Sequence, residues 1–169
     1  MKTTAKISLA ALCAVLLCFV TYDVVRSHCE IPCGIYGDTT RIDLLYEDIA
    51  TVEKSMRQIT ALSADPKSNV NQLVRWVNNK EEHANKIQHI VTQYFMTQRC
   101  KPKGADDTAR GKYIEQITAL HGLLIHAMKA KQTTDTAHCK HLRDHVKKFS
   151  KAYFSAADLK HIEEHQSHK

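Results

Sequence analysis

The segment from residue 28 to residue 37 groups several donors that can bind one transition-metal ion. His28 offers an imidazole, Cys29 offers its amide nitrogen and a thiolate, and Cys33 offers a second thiolate. If His28 becomes the first residue of the mature chain, its free α-amine is a fifth donor. The amine, the neighbouring deprotonated amide and the two thiolates can lie in one plane around an ion. Planar coordination is typical of Ni(II) or Cu(II), and the softness of thiolate argues against Mg²⁺ or Ca²⁺.

Other residues of this segment shape it into a loop. Pro32 stands directly before Cys33 and stiffens the backbone there, and Gly34 allows the chain to turn out again. The imidazole of His28 can then approach the ion from the axial side. We call residues 28–37 the hook.

The residues before the hook have the outline of a secretory signal peptide. Two lysines precede an apolar run from residue 7 to residue 20, which is shorter than the roughly 20 residues of a membrane span. Val25 and Ser27 fit the minus-three and minus-one positions of a signal-peptidase site, so we expect cleavage after Ser27. The mature chain would be exported to the periplasm or the extracellular space and have no membrane attachment. An uncleaved N-terminal anchor is the alternative.

The charge balance favours a small anionic partner over nucleic acid. Removal of residues 1–27 lowers Lys+Arg from 24 to 21 and Asp+Glu from 18 to 17, so the formal net charge falls from +6 to +4. The mature sequence has no run of five or six like charges and no alternation of basic and aromatic residues. A modest positive field can draw small anions towards the protein.

Residues 38–154 are predicted to form one all-α domain, an antiparallel four-helix bundle. In the first helix, apolar residues recur every three or four positions from Ile42 to Ile59, with Asp38, Thr39 or Thr40 available as the N-cap. Similar stripes cover residues 70–94, 114–128 and 142–153. Each stripe is one-sided, so the helices must bury them against one another.

The predicted organisation of the chain has four parts. These are the leader (1–27), the hook (28–37), the bundle (38–154) and a His-rich tail (155–169). The tail starts with a capping-box pattern at Ser155 to Asp158 but has only Leu159 and Ile162 as apolar anchors. We therefore expect a frayed surface helix there.

The hook resembles a known metal-binding motif. The pattern His-Cys-x-x-Pro-Cys-Gly-x-Tyr, here residues 28–36, is similar to the nickel-binding hook of nickel-containing superoxide dismutases, whose mature chains begin at that histidine. Cleavage after Ser27 creates the same N-terminus. Three further segments look like those of the family: Arg41-Ile42, Lys80-Glu81-Glu82 and Tyr94-Phe95.

The resemblance implies an enzyme, fold and cofactor. Nickel would cycle between Ni(II) and Ni(III) and convert two superoxide ions and two protons into dioxygen and hydrogen peroxide. One nickel ion per chain would be held by His28, Cys29 and Cys33, with Tyr36 at the mouth of the site screening the small molecules that approach. The family fold is a four-helix bundle that assembles into a homohexamer.

The sequence departs from better-known bacterial members of the family around the ligands. Asp43 stands, one residue earlier in register, where they carry a glutamate that orients the histidine imidazole, and His83 lies near their supporting arginine. The second helix is also about one turn shorter before Tyr94. Asp43 is our candidate partner for the second imidazole nitrogen of His28, since metal-bound imidazoles usually have one. Pro32, Asp43 and His83 are thus the predicted second layer around the ligands.

Two other functions stay open from the sequence. A non-enzymatic exported protein could use the same hook and the His-rich tail to deliver nickel or copper. A purely structural bundle could join Cys29 to Cys33, and Cys100 to Cys139, as disulfides. We favour the enzyme because His28, Pro32 and Gly34 around the cysteines complete the hook pattern.

The remaining cysteines and histidines suggest further sites. For Cys100 and Cys139 we expect a disulfide, with a pair of buried free thiols as the alternative. His138, His141 and His145 share one face of the fourth helix and could bind a second metal, but a solvated face is the favoured interpretation. The pattern from His161 to His165 matches the H-x-x-E-H motif of some zinc peptidases, and we interpret the match as chance.

Overall fold

The computed structural model describes residues 37–167, and in this part of the chain all regular structure is helical. Helix α1 spans Asp38–Leu62 and α2 spans Pro66–His89, which continues as a π-helix over Ile90–Arg99. Helices α3, α4 and α5 span Arg110–Gln132, Ala137–Tyr153 and Ala156–Ser167. None of the helices in this part of the chain combines the length and apolar character that a membrane crossing requires.

The helices pack as a bundle, as predicted. Helix α1 lies along α2, and α3 lies along α4, and each pair is joined by a short connection, residues 63–65 and 133–136. Short connections between helices that pack along their lengths require antiparallel neighbours. Further contacts of α1 with α4 and of α2 with α3 close the bundle. The all-α bundle is therefore confirmed for residues 37–167, and the leader and the hook before Gly37 lie outside the described residues.

The core confirms the predicted stripe of α1 and corrects those of α2 and α3. The α1 residues Ile42, Leu45, Ile49, Val52 and Met56 are fully buried. On the other two helices, several residues of the predicted stripes are exposed: Val70, Val77, Ile114 and Met128. The buried residues of α3 are mostly small or shifted in register: Ala119, Leu120, Leu123, Ala127 and Ala130. A pattern of large apolar residues misplaces this face because alanines form much of it.

The start of α1 also differs from the prediction. The helix begins at Asp38 itself, and Gly37 is the residue before it, with no side-chain hydrogen bond to the first turn. The φ angle of Gly37 is 78°, in the left-handed region that favours glycine. Asp38 is therefore not the N-cap residue, and its carboxylate accepts hydrogen bonds from Tyr94, Arg99 and Tyr153 instead.

The last part of the predicted second helix is π-helical. In a π-helix each residue bonds to the residue five positions away instead of four. Side chains follow the same pattern here, since Thr97 donates to the carbonyl of Thr92 at 2.8 Å and Gln98 to that of Gln93 at 2.9 Å. Side chains that are five residues apart in this segment therefore lie one above the other on the same face of the helix.

The predicted disulfide between Cys100 and Cys139 is wrong, and the alternative of buried free thiols holds. Cys100 lies near Asp38 and Arg99 at the start of α1, whereas the thiol of Cys139 contacts the sulfur of Met56 at 3.7 Å. About 27 Å of helix separates Asp38 from Met56 along α1 at about 1.5 Å per residue. Burial raises the pKa of each thiol to about 11.

Helix α5 is better anchored than expected for the tail. Ile162 is 5% exposed and joins the core, and α5 packs against α1. The capping box is present, because Ser155 Oγ donates to Asp158 at 2.7 Å and the Asp158 amide lies 3.3 Å from Ser155 Oγ. A single buried side chain and two polar contacts to α1 are enough to dock this short helix.

Lys80, in one of the segments that resemble the family, has a structural role. Its ammonium is buried and donates to the carbonyls of Lys131 at 2.5 Å and Thr133 at 3.1 Å, at the C-terminal end of α3. Burial lowers the pKa of Lys80. A cation at this end of a helix satisfies carbonyls that lack partners within the helix.

Replacement of this lysine is expected to destabilise the bundle. Lys80→Met removes the donors of two carbonyls, which costs about 1–3 kcal/mol. Lys86→Met is the matched control, since Lys86 is an exposed lysine of the same helix that pairs with Glu82 on the surface; it should change the free energy of unfolding by less than about 0.5 kcal/mol. Urea unfolding of the two variants checks this, and equal losses would contradict the capping role.

Candidate metal centre

The predicted ligands lie outside the described residues. This holds for His28, Cys29, Pro32, Cys33 and Tyr36, all of which precede Gly37. The structure does describe the base from which the hook emerges, namely Gly37 and the first turns of α1. The contacts of this base show how the chain next to the hook is held.

A cluster of four residues fixes the first residue of α1. The carboxylate of Asp38 accepts hydrogen bonds from the hydroxyl of Tyr153 at 2.5 Å, from Arg99 at 2.7 and 3.1 Å, and from the hydroxyl of Tyr94. We call Asp38, Tyr94, Arg99 and Tyr153 the Asp38 cluster. It joins α1 to the π-helix and to α4, so three elements meet two residues after Tyr36.

The charges of the Asp38 cluster are balanced. Burial by itself would raise the pKa of Asp38, but the hydrogen bonds from Tyr153, Tyr94 and Arg99 outweigh it and hold this pKa below its usual value. Burial and the bond to Asp38 raise the pKa of Tyr94 to about 12, and they raise that of Tyr153 as well. Both phenols therefore stay protonated and the carboxylate stays ionised at neutral pH.

The π-helix is what brings two members of the cluster to the same carboxylate. Tyr94 and Arg99 are five residues apart, which is the spacing that a π-helix stacks. The guanidinium of Arg41 lies 5.0 Å from the centre of the Tyr94 ring, within the range of a cation–π interaction. Two of the family-like segments, around Arg41 and around Tyr94, are thus in contact.

Loss of the Asp38 carboxylate is expected to destabilise the base of the hook. Asp38→Ala leaves the buried phenol of Tyr94, the half-buried phenol of Tyr153 and the guanidinium of Arg99 without their acceptor, at a cost of about 3 kcal/mol. Asp106→Ala, in the exposed loop before α3, is the control and should have an effect within about 0.5 kcal/mol. Chemical unfolding of the metal-free mature chain measures both.

The stability of wild type and of Asp38→Ala, compared as a function of pH, gives a second test of the Asp38 cluster. Because the pKa of Asp38 is lowered in the folded state, its stabilisation is fully present above the unfolded pKa of about 3.9 and is lost as the pH falls through the folded pKa. The difference in stability between wild type and Asp38→Ala should therefore be constant from pH 7 to about pH 5 and shrink below about pH 4. A difference that grew in acid would contradict the ionised cluster.

The predicted second-layer residue Asp43 contacts the tail. Its carboxylate accepts a hydrogen bond from Gln166 at 2.9 Å and lies 3.2 Å from the Nδ1 atom of His165. Both partners belong to α5, so the tail reaches the surface of α1 about one and a half turns from the start of that helix. The place of Asp43 in the second layer around His28 stays a prediction, since His28 is not among the described residues.

The other predicted second-layer residue, His83, pairs with a different carboxylate of α1. Its Nδ1 atom lies 2.7 Å from Asp48, which is 6% exposed. Burial raises the pKa of Asp48, although His83 opposes the shift. Asp43 and Asp48 therefore each hold one histidine, from α5 and α2 respectively.

No sequence pattern marks Arg99 or Tyr153 as a site residue, and the pattern around Asp38 indicates only a possible N-cap. The signal for Arg99 would have been its spacing of five from Tyr94, which has meaning only in a π-helix. Tyr153 lies 115 positions from its partner Asp38, and no local pattern links them.

The donor chemistry of the hook fits a nickel ion. An amine, an amide and two thiolates form a set that a planar, thiophilic ion prefers. In the described residues the thiols of Cys100 and Cys139 are buried and protonated, so the thiolates available after Ser27 are those of Cys29 and Cys33. Within residues 37–167, no three His, Cys, Asp or Glu side chains, as they are placed in the structure, stand close enough to hold one metal ion.

Comparison with known proteins identifies one family. The family model described as nickel-containing superoxide dismutase matches residues 23–157, which is most of the chain and includes the hook. Neither the curated proteins nor the solved structures contain a match.

Proposed function

We propose the location and the mechanism of a nickel centre, starting from the premise that this chain belongs to the nickel-containing superoxide dismutase family. It is accordingly an oxidoreductase that acts on superoxide and depends on nickel. In our proposal one nickel ion per chain is held by His28 through its amine and imidazole, by Cys29 through its amide and thiolate, and by Cys33 through its thiolate. The observation that carries the proposal is the donor set of residues 28–33 within the matched range.

Bound nickel supplies a one-electron redox couple, by which one superoxide is oxidised to dioxygen and a second is reduced, with two protons, to hydrogen peroxide. The thiolates of Cys29 and Cys33 and the amide of Cys29 supply anionic donors that favour the oxidised ion. Their coordination also keeps the two cysteines from pairing with each other.

The chain controls access to the centre and the proton supply. Tyr36 would sit at the mouth of the site, exclude larger molecules and order the water from which protons reach the peroxide. The Asp38 cluster supports this placement, because it holds the backbone two residues after Tyr36 to α1, the π-helix and α4. A fixed base limits the positions that the hook can adopt.

Export and assembly are part of the proposal. Cleavage after Ser27 would release the mature chain outside the cytoplasm and create the α-amine of His28. We expect a homohexamer by resemblance to the family. The exposed valines Val70, Val74 and Val77, which share one face of α2, offer an apolar surface for subunit contacts.

Metal analysis and a dismutation assay of the chain that begins at His28 test the proposal. The expected result is one nickel ion per chain and rapid loss of superoxide. Fast transfer of the metal to a chelator without dismutation would instead indicate a metal-delivery protein.

Asp43 is expected to influence the rate more than the binding of nickel. Asp43→Asn keeps an oxygen that can accept from Gln166 but removes the charge that would orient the imidazole of His28. We expect kcat to fall about tenfold, as is usual when a partner of a metal-bound histidine is lost. Asp106→Asn, in the exposed loop before α3, is the control and should leave kcat unchanged; a similar fall in both variants would contradict a specific role for Asp43.

A further inference from the structure

Four histidines meet where α3 packs on α4. They are His126 of α3 and His138, His141 and His145 of α4, which we call the four-histidine cluster. The ring centre of His126 lies 5.4 Å from that of His138, 4.5 Å from that of His141 and 5.5 Å from that of His145. The sequence suggested a solvated face for the three α4 residues, but the structure places a fourth histidine, from the neighbouring helix, among them.

Two nitrogens of the cluster have the spacing of ligands around one ion. The Nδ1 atoms of His126 and His138 are 3.3 Å apart and share a hydrogen bond in the structure, which a metal ion would replace. Two donors bound tetrahedrally at about 2.0–2.1 Å lie about 3.3–3.4 Å from each other, whereas neighbouring donors in a square plane lie about 2.9 Å apart. The spacing thus fits tetrahedral Zn²⁺ better than planar Ni(II) or Cu(II).

A third imidazole is within reach. His141 stacks on His126 with an angle of 28° between the rings. It follows His138 by three residues, so both project from the same face of α4. Its side chain is exposed, and the proposal requires this ring to turn from its stacked position so that a third nitrogen joins the pair.

The fourth histidine is held with an unpartnered nitrogen. The Nδ1 atom of His145 is buried and has no hydrogen-bond partner, which is unfavourable unless a ligand or a water supplies one. A Cβ atom at Gly122 would lie 2.2–2.5 Å from three atoms of this ring. Glycine at position 122 therefore makes room for the imidazole, and the free nitrogen can bind a water at the fourth position of an ion.

Burial and neighbouring positive charges both act on the histidines of the cluster. Burial, together with His141, His145 and His138, lowers the pKa of His126 to about 4, and burial also lowers that of His145. Lys129 and Lys148 add positive charge, which Asp144 partly offsets at His145.

We propose that the four-histidine cluster is a second metal site, which binds Zn²⁺ through the Nδ1 atoms of His126 and His138 and through His141. The fourth position is taken by water near His145. The ion links α3 to α4 and stabilises their contact, because a metal that binds only the folded chain adds its binding energy to folding.

The experiment uses the mature chain with its hook already loaded with nickel. Excess Zn²⁺ is added and removed by gel filtration, and both metals are then counted. We expect one zinc ion beside one nickel ion in wild type. His126→Gln and His138→Gln should lose the zinc and keep the nickel, and zinc should raise the Tm of wild type but not of these variants.

Two controls separate this site from other histidines. His121→Gln, on an exposed position of α3, and His161→Gln, in the tail, should both keep the zinc. His141→Gln tests the third ligand at an exposed position where misfolding is not expected. The proposal is overturned if wild type retains no zinc, or if His126→Gln and His138→Gln retain as much as wild type.

Discussion

A chain that carries one extra residue before His28 is expected to bind no nickel in the hook and to show no dismutation. The extra residue converts the α-amine into an amide, which removes one of the planar donors and the chelate ring that the amine forms with the amide of Cys29. The new terminal amine belongs to the added residue, so the amine and the imidazole are no longer donors of the same residue. We expect activity to fall to the background of the assay, whereas the chain that begins at His28 is active.

The matched control carries the same extra residue after Lys169. It has the same composition and length, so it separates the position of the extension from its presence. Circular dichroism should show the same helical content in all three proteins, since the bundle begins after the hook. Equal nickel content and equal activity in the two extended chains would overturn the role of the α-amine.

Replacement of Cys33 by alanine is the second change with a large expected effect. Cys33→Ala removes one of two thiolates and leaves a donor set that no longer favours a thiophilic planar ion. We expect the purified mature protein to contain no nickel and to have no activity above background. Metal analysis and the dismutation assay measure this directly.

Cys100→Ala is the control for this substitution. Cys100 is buried at the end of the π-helix with a raised pKa, so its thiol is a packing group. The variant should keep nickel and activity and lose about 1 kcal/mol of stability or less, as for other small losses of buried volume. Nickel retained in Cys33→Ala, or a Cys29–Cys33 disulfide in the active wild-type enzyme, would contradict our assignment of the ligands.

The parts of the fold that follow from large apolar side chains could be predicted. The stripe of α1 was correct because Ile42, Leu45 and Ile49 are bulky and fully buried. The buried face of α3 was misplaced because Ala127 and Ala130 pack where larger residues were expected. Small residues allow helices to approach closely, and an apolar pattern weighted by size does not reveal that.

The π-helix could not be predicted, because nothing in the composition of residues 90–99 distinguishes it from an α-helix. Its effect depends on tertiary partners. Tyr94 and Arg99 reach Asp38 only when residues five apart are stacked.

The candidate site also has a part that the sequence predicts and a part that it does not. The predicted ligands lie within six consecutive residues, so the sequence alone suggests the chemistry. Their supports come from distant parts of the chain, as the contacts of Asp38 with Tyr153 and of Asp43 with Gln166 illustrate. Such pairs become visible only once the helices are packed.

The burial of Cys100 and Cys139 has a consequence for an enzyme whose product is hydrogen peroxide. Peroxide oxidises thiolates and spares protonated thiols. With a pKa of about 11, only about one thiol in ten thousand is ionised at pH 7. The fold thus makes these two core thiols resistant to the oxidant that the enzyme's own turnover releases.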